Sequence, residues 1–224
     1  MIAARGTGDP FAGIIHADNP EQRCACVLVL DRSTSMAGAK IEQLNCGLKQ
    51  FREELTADDS ARRRLELATV PFGPVVRDAA FRHPDEFSDA PLEIGTHTPM
   101  GEALEYAVDL VARRKAGYKS SGLSYVRPWI LLMTDGEPTD CIRRAGELIR
   151  QGETEKKFMF FAVGVDGANS QLLRSLSVRP PLRLQGVAFR DFFIWLSCSL
   201  SKVSQSAPSA TIDMPLPQCV RIDT

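Results

Sequence analysis

Three polar side chains follow an apolar run near the start of the chain. Asp31, Ser33 and Ser35 stand at every second position, directly after the four aliphatic residues 27–30. One carboxylate and two hydroxyls are hard oxygen ligands, which suit Mg²⁺, Mn²⁺ or Ca²⁺ rather than zinc or copper. Ser and Asp are also preferred helix caps. This stretch alone therefore leaves two interpretations open, a divalent-cation site or a strand-to-helix turn capped by Asp31 or Ser35.

Two later segments carry the same kind of oxygen ligand. Thr96 and Thr98 lie in a loop of small residues before an amphipathic helix, and Asp135 follows a run of aliphatic residues. Ligand sites of open α/β sheets lie at the carboxyl ends of the strands, where the strand order reverses. The strands that end at Asp31 and Asp135 would be neighbours in a Rossmann-like order. We therefore expect the two carboxylates to converge and the Thr96 loop to close over them.

The alternation of apolar and polar residues predicts strands separated by helices. Short apolar runs bounded by Gly, Pro or Asp are typical of buried strands, and apolar residues spaced by three and four are typical of a helix face. Predicted strands cover residues 24–30, 65–73, 75–81, 129–134, 158–165 and 182–184, and predicted helices include residues 40–55, 103–111, 140–149, 169–176 and 189–203. The pattern indicates a doubly wound, mostly parallel α/β sheet flanked by helices. One antiparallel edge strand is expected, and the run at 75–81 is predicted to be a hairpin partner of the strand before it.

The length fits one large domain with appendages. We assign residues 1–22 to an irregular N-terminal arm with a candidate edge strand at 13–16, residues 23–204 to the domain, and residues 205–224 to a Pro-rich C-terminal tail, extended on the surface or partly disordered. No apolar run approaches the roughly 18 residues that span a bilayer, and the first residues lack the apolar core of a signal peptide. We expect a cytoplasmic protein that does not bind membranes.

Charge and cysteine content exclude several ligand classes. The 27 Lys and Arg residues balance 28 Asp and Glu residues, which gives no electrostatic reason to expect nucleic acid or an anionic membrane as a partner. The six cysteines are scattered along the chain and are expected to be buried, reduced thiols. Cys24 and Cys26 lack the second pair or histidine cluster that a zinc site needs.

Three motifs resemble those of the von Willebrand factor A (vWA) domain family. Residues 31–35, Asp-Arg-Ser-Thr-Ser, match its Asp-x-Ser-x-Ser signature. Residues 95–104 resemble its threonine loop, and residues 134–136, Thr-Asp-Gly, resemble its aspartate loop. The likeness covers residues 24–203. In that family the three loops form a metal-ion-dependent adhesion site, so the resemblance implies a Rossmann-like vWA sheet that holds a divalent cation.

The same resemblance implies a complete set of metal ligands: Asp31, Ser33, Ser35, Thr96 and Asp135. The three hydroxyls would bind the ion directly, and the two carboxylates would act largely through ordered water. Thr96 is preferred to Thr98 because the first threonine of the family's Thr-x-Thr is the usual ligand. Mg²⁺ is the expected ion, with Mn²⁺ or Ca²⁺ as alternatives.

Within the family, the helix that contains residues 192–197 and the Pro-rich tail resemble the bacterial TerY-like proteins. Those proteins are associated with tellurite-resistance and stress clusters, often alongside kinase and phosphatase partners. We therefore expect a non-enzymatic scaffold or adaptor whose bound cation captures an Asp or Glu of a partner protein, which could be a kinase or phosphatase of the same system.

A metal-dependent hydrolase or phosphoryl-transfer enzyme on the same site is the alternative. His97, Glu137 and Asp140 would be its proton handlers, but the sequence shows no Gly-x-x-x-x-Gly-Lys-Ser/Thr phosphate loop and no evident nucleophile–base pair, so no catalytic residue is assigned. A dinucleotide-binding Rossmann domain would need Gly-x-Gly-x-x-Gly after the first strand. The chain has Asp-x-Ser-x-Ser there, and we reject that reading.

Overall fold

A computed structural model describes residues 19, 21–186, 188–205 and 215–223 of the chain. Its strands are Cys24–Asp31 (β1), Leu65–Phe72 (β2), Trp129–Thr134 (β3), Met159–Gly164 (β4), Leu182–Leu184 (β5) and Val220–Ile222 (β6). Its α-helices are Ala39–Ala57 (α1), Asp59–Arg64 (α2), Met100–Ser120 (α3), Arg143–Thr154 (α4), Ser170–Leu176 (α5) and Phe189–Gln205 (α6). No described helix combines the length and apolar character that crossing a bilayer requires.

The six strands form one sheet in the order β2-β1-β3-β4-β5-β6. Every neighbouring pair is parallel except β5 and β6, which are antiparallel. Leu30 of β1 lies opposite Met133 of β3, so the strands that lead to Asp31 and Asp135 are neighbours, as predicted. The doubly wound, mostly parallel sheet with one antiparallel edge strand is therefore confirmed.

Strand β1 lies between β2 and β3 and is buried along its whole length. Its side chains alternate between two cores, because successive residues of a strand point to opposite faces. Cys24, Cys26, Leu28 and Leu30 join the core that contains apolar residues of α1 and α6, whereas Ala25, Val27 and Val29 join the core that contains residues of α3 and α4. Helices on both faces explain why β1 reads as a continuous apolar run.

The antiparallel strand is not the one predicted. Residues 75–81 form a turn and a loop, not a strand. The Val76 N–H donates to the carbonyl of Pro71 at 3.0 Å, and farther along the chain Arg82 makes an isolated antiparallel bridge with Leu67 of β2. Pro71 in β2 has no backbone N–H to donate, which is typical of an edge strand and limits a hairpin there. The antiparallel strand lies at the other edge of the sheet, because Val220–Ile222 of the predicted tail pairs with β5. The candidate strand at 13–16 lies outside the described residues.

The cysteines are free thiols, as expected, but they are not all buried. Cys24 and Cys26 are buried in β1, whereas Cys46, Cys141 and Cys198 are exposed. Burial, reinforced by the charge of Glu66, raises the pKa of Cys24 to about 12. The prediction of uniformly buried thiols was wrong, because it considered residue type without position: Cys46 and Cys198 lie on the exposed faces of α1 and α6, and Cys141 lies in the loop before α4.

A buried ionic cluster lies at the end of the sheet opposite Asp31. Glu66 of β2 is 1% exposed and accepts hydrogen bonds from Arg114 Nε at 2.6 Å and from the Tyr118 hydroxyl. Arg23 Nε lies 3.6 Å from the other oxygen of the same carboxylate. Burial and the charge of Glu66 raise the pKa of Tyr118 well above its usual value, so this hydroxyl stays a donor. The cluster ties α3 to the beginning of β2.

We expect Glu66→Gln to destabilise the protein by about 3 kcal/mol, because it removes the buried negative charge that faces two buried guanidinium groups. Urea denaturation followed by circular dichroism measures the change in the free energy of unfolding. Glu102→Gln is the matched control: Glu102 also pairs with an arginine, Arg77, but both side chains are about half exposed. Glu102→Gln should lower the free energy of unfolding by less than about 1 kcal/mol. Equal effects of the two substitutions would contradict a special role for the buried cluster.

Candidate metal centre

Asp31 ends β1 and is completely buried. Its Oδ1 accepts a hydrogen bond from the backbone N–H of Ser33 at 2.8 Å, and its Oδ2 accepts one from Thr134 Oγ1 at 2.5 Å. Burial raises the pKa of this carboxyl, and the charge of Asp135 adds to that effect, whereas the hydrogen bonds from Thr134 and Ser33 oppose it. Asp31 therefore holds the backbone of the loop that follows β1.

The two serines of the motif are joined to Asp135 through their hydroxyl groups. Ser33 Oγ lies 3.0 Å from Ser35 Oγ, and Ser35 Oγ donates a hydrogen bond to Asp135 Oδ1 at 2.6 Å. Because Asp135 directly follows β3, this chain of contacts links the ends of two neighbouring strands. Four of the five predicted ligands, Asp31, Ser33, Ser35 and Asp135, therefore lie together.

The interpretation in which Asp31 or Ser35 caps the following helix is wrong, because neither side chain makes a capping hydrogen bond to α1. Ser33 precedes the short 3₁₀ turn Thr34–Met36, but its side chain makes no capping hydrogen bond to that turn. The residue that precedes α1 is Gly38, which has no side chain to cap with. The hydroxyls of Ser33 and Ser35 are directed instead toward each other and toward Asp135, and Asp31 accepts from the Ser33 N–H and the Thr134 hydroxyl.

Lys40 is a fifth member of the cluster, and the sequence did not reveal it. It lies in the first turn of α1, and its Nζ donates a hydrogen bond to Asp135 Oδ2. The Asp135 side chain is fully buried, whereas that of Lys40 is 27% exposed. A lysine near the positive end of a helix dipole is disfavoured there, and this was the one available signal that it has a specific partner.

The threonine loop lies against the loop after β1, as predicted. Thr34 Oγ1 is 3.2 Å from the carbonyl oxygens of Gly95 and Thr96, and the Gly95 N–H donates to the carbonyl of Arg32 at 2.7 Å. The Thr96 N–H donates to the carbonyl of Gly73, in the turn after β2, at 3.0 Å. Sequence reasoning found this turn from its Gly-Pro pair but did not connect it with the site.

Gly95 and Gly73 make the tightest contact of this region. A Cβ atom on Gly95 would lie 1.4 Å from the carbonyl oxygen of Gly73, so no other residue fits this backbone position. The threonine loop is therefore held by this close backbone contact together with the hydrogen bonds of its backbone to Arg32, Gly73 and the Thr34 hydroxyl.

The two threonines occupy different environments. Thr96 is exposed, and its described contacts to the neighbouring loops are made by its backbone. Thr98 is 7% exposed, and its methyl group lies beside Gly136: a Cβ atom on that glycine would be 3.7 Å from Thr98 Cγ2 and 3.2 Å from Ser35 Oγ. The structure thus brings both threonines to the same edge of the sheet, and the choice of Thr96 as the ligand stays a prediction.

The donors that converge here fit a hard cation. In the described ranges, no three His, Cys, Asp or Glu side chains are grouped so as to hold an ion. The candidate set instead combines two buried carboxylates with two serine hydroxyls that lie 3.0 Å apart. Such an oxygen set suits Mg²⁺, Mn²⁺ or Ca²⁺.

Two of the three residues considered as proton handlers, Asp140 and Glu137, have structural partners. Asp140 accepts hydrogen bonds from the backbone N–H groups of Gly101 and Glu102, at 3.0 and 2.8 Å, and so caps the beginning of α3. It does not start a helix of its own, because α4 begins at Arg143. Glu137 accepts a hydrogen bond from Asn169 Nδ2 at 2.7 Å.

The fold is shared with solved structures of other proteins, of which two are compared with this chain below. The pilus adhesin SpaC of Lactobacillus rhamnosus GG, in its open conformation, has a TM-score of 0.63 and 11% identity over 82% of this chain and 31% of its own. Proximal thread matrix protein 1 from the mussel byssus has a TM-score of 0.54 and 16% identity over 83% of this chain and 47% of its own. The chain thus spans less than half the length of either protein, and at this identity the likeness shows the fold alone.

A comparison with curated proteins gave no match. The family model of the von Willebrand factor type A domain matches residues 26–191, which include the Asp-x-Ser-x-Ser motif, the threonine loop and Asp135. Since this match covers well over half of the sequence, the chain belongs to the von Willebrand factor type A domain family.

Proposed function

We propose that this protein is a metal-ion-dependent protein-interaction module, which captures an acidic residue of a partner protein through a divalent cation. The observation that carries the proposal is the run of hydrogen bonds from Ser33 through Ser35 to Asp135 at the carboxyl edge of the sheet. These groups come from two loops far apart in sequence, and an apolar core alone does not require them to meet.

The hydroxyl and carboxylate residues of the site would have different roles in metal binding. The hydroxyls of Ser33, Ser35 and Thr96 would hold the ion, and Asp31 and Asp135 would orient the serines and ordered water. A cation bound by neutral hydroxyls keeps most of its charge, and would supply the attraction for a carboxylate of the partner. Mg²⁺ suits this role because it retains water molecules that a carboxylate can displace.

The finer part of the proposal is a scaffold or adaptor of the TerY-like group, in a bacterial stress or tellurite-resistance-type system, with a kinase or phosphatase as partner. It is supported by the sequence likeness of the helix around residues 192–197 and of the Pro-rich tail. The cytoplasmic location and the division into an arm at 1–22, a domain at 23–204 and a tail at 205–224 also stay predictions. A non-enzymatic role is part of the same proposal, and the contacts of Asp140 and Glu137 give the enzyme alternative no added support.

We expect Ser33→Ala/Ser35→Ala to weaken binding of Mg²⁺ and Mn²⁺ about 100-fold or more, because it removes two of the proposed ligands. Isothermal titration calorimetry on protein stripped with EDTA measures the Kd for Mg²⁺, and the free Mn²⁺ signal in electron paramagnetic resonance gives a second measure. Ser121→Ala, at an exposed serine outside the site, is the control and should bind as the wild type does. Wild-type affinity in a folded double variant would disprove the assignment.

Partner capture should depend on the same site. The immobilised protein is expected to retain specific bacterial proteins in Mg²⁺ and to release them in EDTA, and the double serine variant should retain none of them. Mass spectrometry of the eluted proteins identifies the partners. A set of retained proteins that is the same in Mg²⁺, in EDTA and with the double variant would show that recognition does not pass through the cation.

Separate substitutions distinguish the two threonines. We expect Thr96→Val to weaken Mg²⁺ binding about tenfold or more, because a ligand is lost, whereas Thr98→Val should leave the Kd close to that of the wild type. Valine has nearly the shape of threonine, so the loop keeps its packing. If Thr98→Val had the larger effect, the buried threonine would be the ligand and the family-based assignment would be wrong.

A further inference from the structure

Lys40 places a fixed positive charge inside the candidate metal centre. Its Nζ donates a hydrogen bond to Asp135 Oδ2, while Ser35 Oγ donates to Asp135 Oδ1. Both oxygens of this buried carboxylate are therefore engaged, one by a proposed metal ligand and one by an ammonium group. The ammonium also lies near the loop after β4, because a Cβ atom on Gly167 would be 4.0 Å from Lys40 Nζ.

The position of this lysine is costly without such a partner. It stands in the first turn of α1, where the positive end of the helix dipole repels a cation, and its long side chain loses rotamer freedom when it is held in place. A buried carboxylate, in turn, is stable as an anion only when hydrogen bonds or an opposite charge compensate it. The ion pair resolves both problems, and Asp135 thereby has a compensating positive charge within the chain.

Charge counting shows what this means for a bound ion. Asp31 and Asp135 carry two negative charges when ionised, and Lys40 offsets one of them. A cation held by the serine hydroxyls would share Asp135 with the ammonium group, and the two positive charges would repel each other. A monovalent ion offers no more charge than the lysine already supplies, whereas a divalent ion does.

We propose that Lys40 is a built-in competitor for the divalent cation at Asp135, which lowers the affinity of the site for Mg²⁺. The inference rests on the proposed function, because it presupposes that Asp135 belongs to a metal site. The lysine side chain is 27% exposed and so has a route to solvent when a divalent ion takes its place. By linkage, the ammonium group weakens binding of the divalent ion by the same free energy as the bound ion weakens the Lys40–Asp135 ion pair.

The test compares neutral substitutions of Lys40 with the same change elsewhere on α1. Lys40→Met removes the charge, and Lys40→Gln removes it while keeping a hydrogen-bond donor, which serves if the first variant does not fold. Lys49→Met, at an exposed lysine of the same helix, is the matched control. Lys40→Arg keeps a positive charge at the site.

Calorimetry with Mg²⁺ and electron paramagnetic resonance with Mn²⁺ give the Kd of each EDTA-stripped protein. We expect the neutral Lys40 variants to bind about fivefold or more tightly than the wild type, and Lys49→Met and Lys40→Arg to stay close to it. In EDTA, the Tm of the neutral Lys40 variants should be lower than that of the wild type, because Asp135 loses its counter-charge. In saturating Mg²⁺, the difference in Tm between these variants and the wild type should be smaller.

Two other outcomes are distinguishable. If the wild type binds Mg²⁺ and the neutral Lys40 variants bind it equally well or more weakly, the competition is disproved and the proposed function stands. If neither the wild type nor any Lys40 variant binds Mg²⁺ or Mn²⁺, the proposed metal-dependent function fails and the competition fails with it.

Discussion

Two carboxylates buried at one edge of the sheet impose the main constraint on this structure. A buried charge is tolerated only when hydrogen bonds or an opposite charge compensate it. Asp31 is compensated by the Ser33 N–H and the Thr134 hydroxyl, and Asp135 by the Ser35 hydroxyl and Lys40. These contacts determine how the loop after β1 folds, where α1 begins and how that helix meets β3. The geometry of the proposed metal site is thus also the geometry that makes its charges stable.

The same constraint operates at the other end of the central strands. Glu66 at the beginning of β2 is surrounded by the side chains of Arg23, Arg114 and Tyr118. Between the two polar ends, β1 and β3 are buried without interruption. The cluster at Glu66 contains two guanidinium groups around one carboxylate and so carries excess positive charge, whereas the edge near Asp31 has two carboxylates and one lysine. Only the latter has negative charge left for a cation.

The sequence predicted the features of the fold that depend on local apolar pattern and on strand order. The apolar runs before Asp31 and Asp135 identified two neighbouring strands, and strand order then brought the two carboxylates together. The ion pair between Lys40 and Asp135 was not predicted. It depends on where α1 begins and on the side-chain conformation of Lys40, and neither follows from residue spacing. Strand β6 was not predicted, because three residues are too few to show a strand pattern of apolar and polar residues. It forms by pairing with β5, which is distant in sequence.

The close backbone contact between Gly95 and Gly73 makes the position of the threonine loop independent of the residues on its exposed side. The contact itself contains no side chain. His97 is exposed within the same loop, beside a proposed ligand. A substitution of His97 would therefore change the surface offered to the proposed partner while leaving the position of the loop intact. Under the proposed function, partner specificity and the integrity of the site would be separable in this architecture.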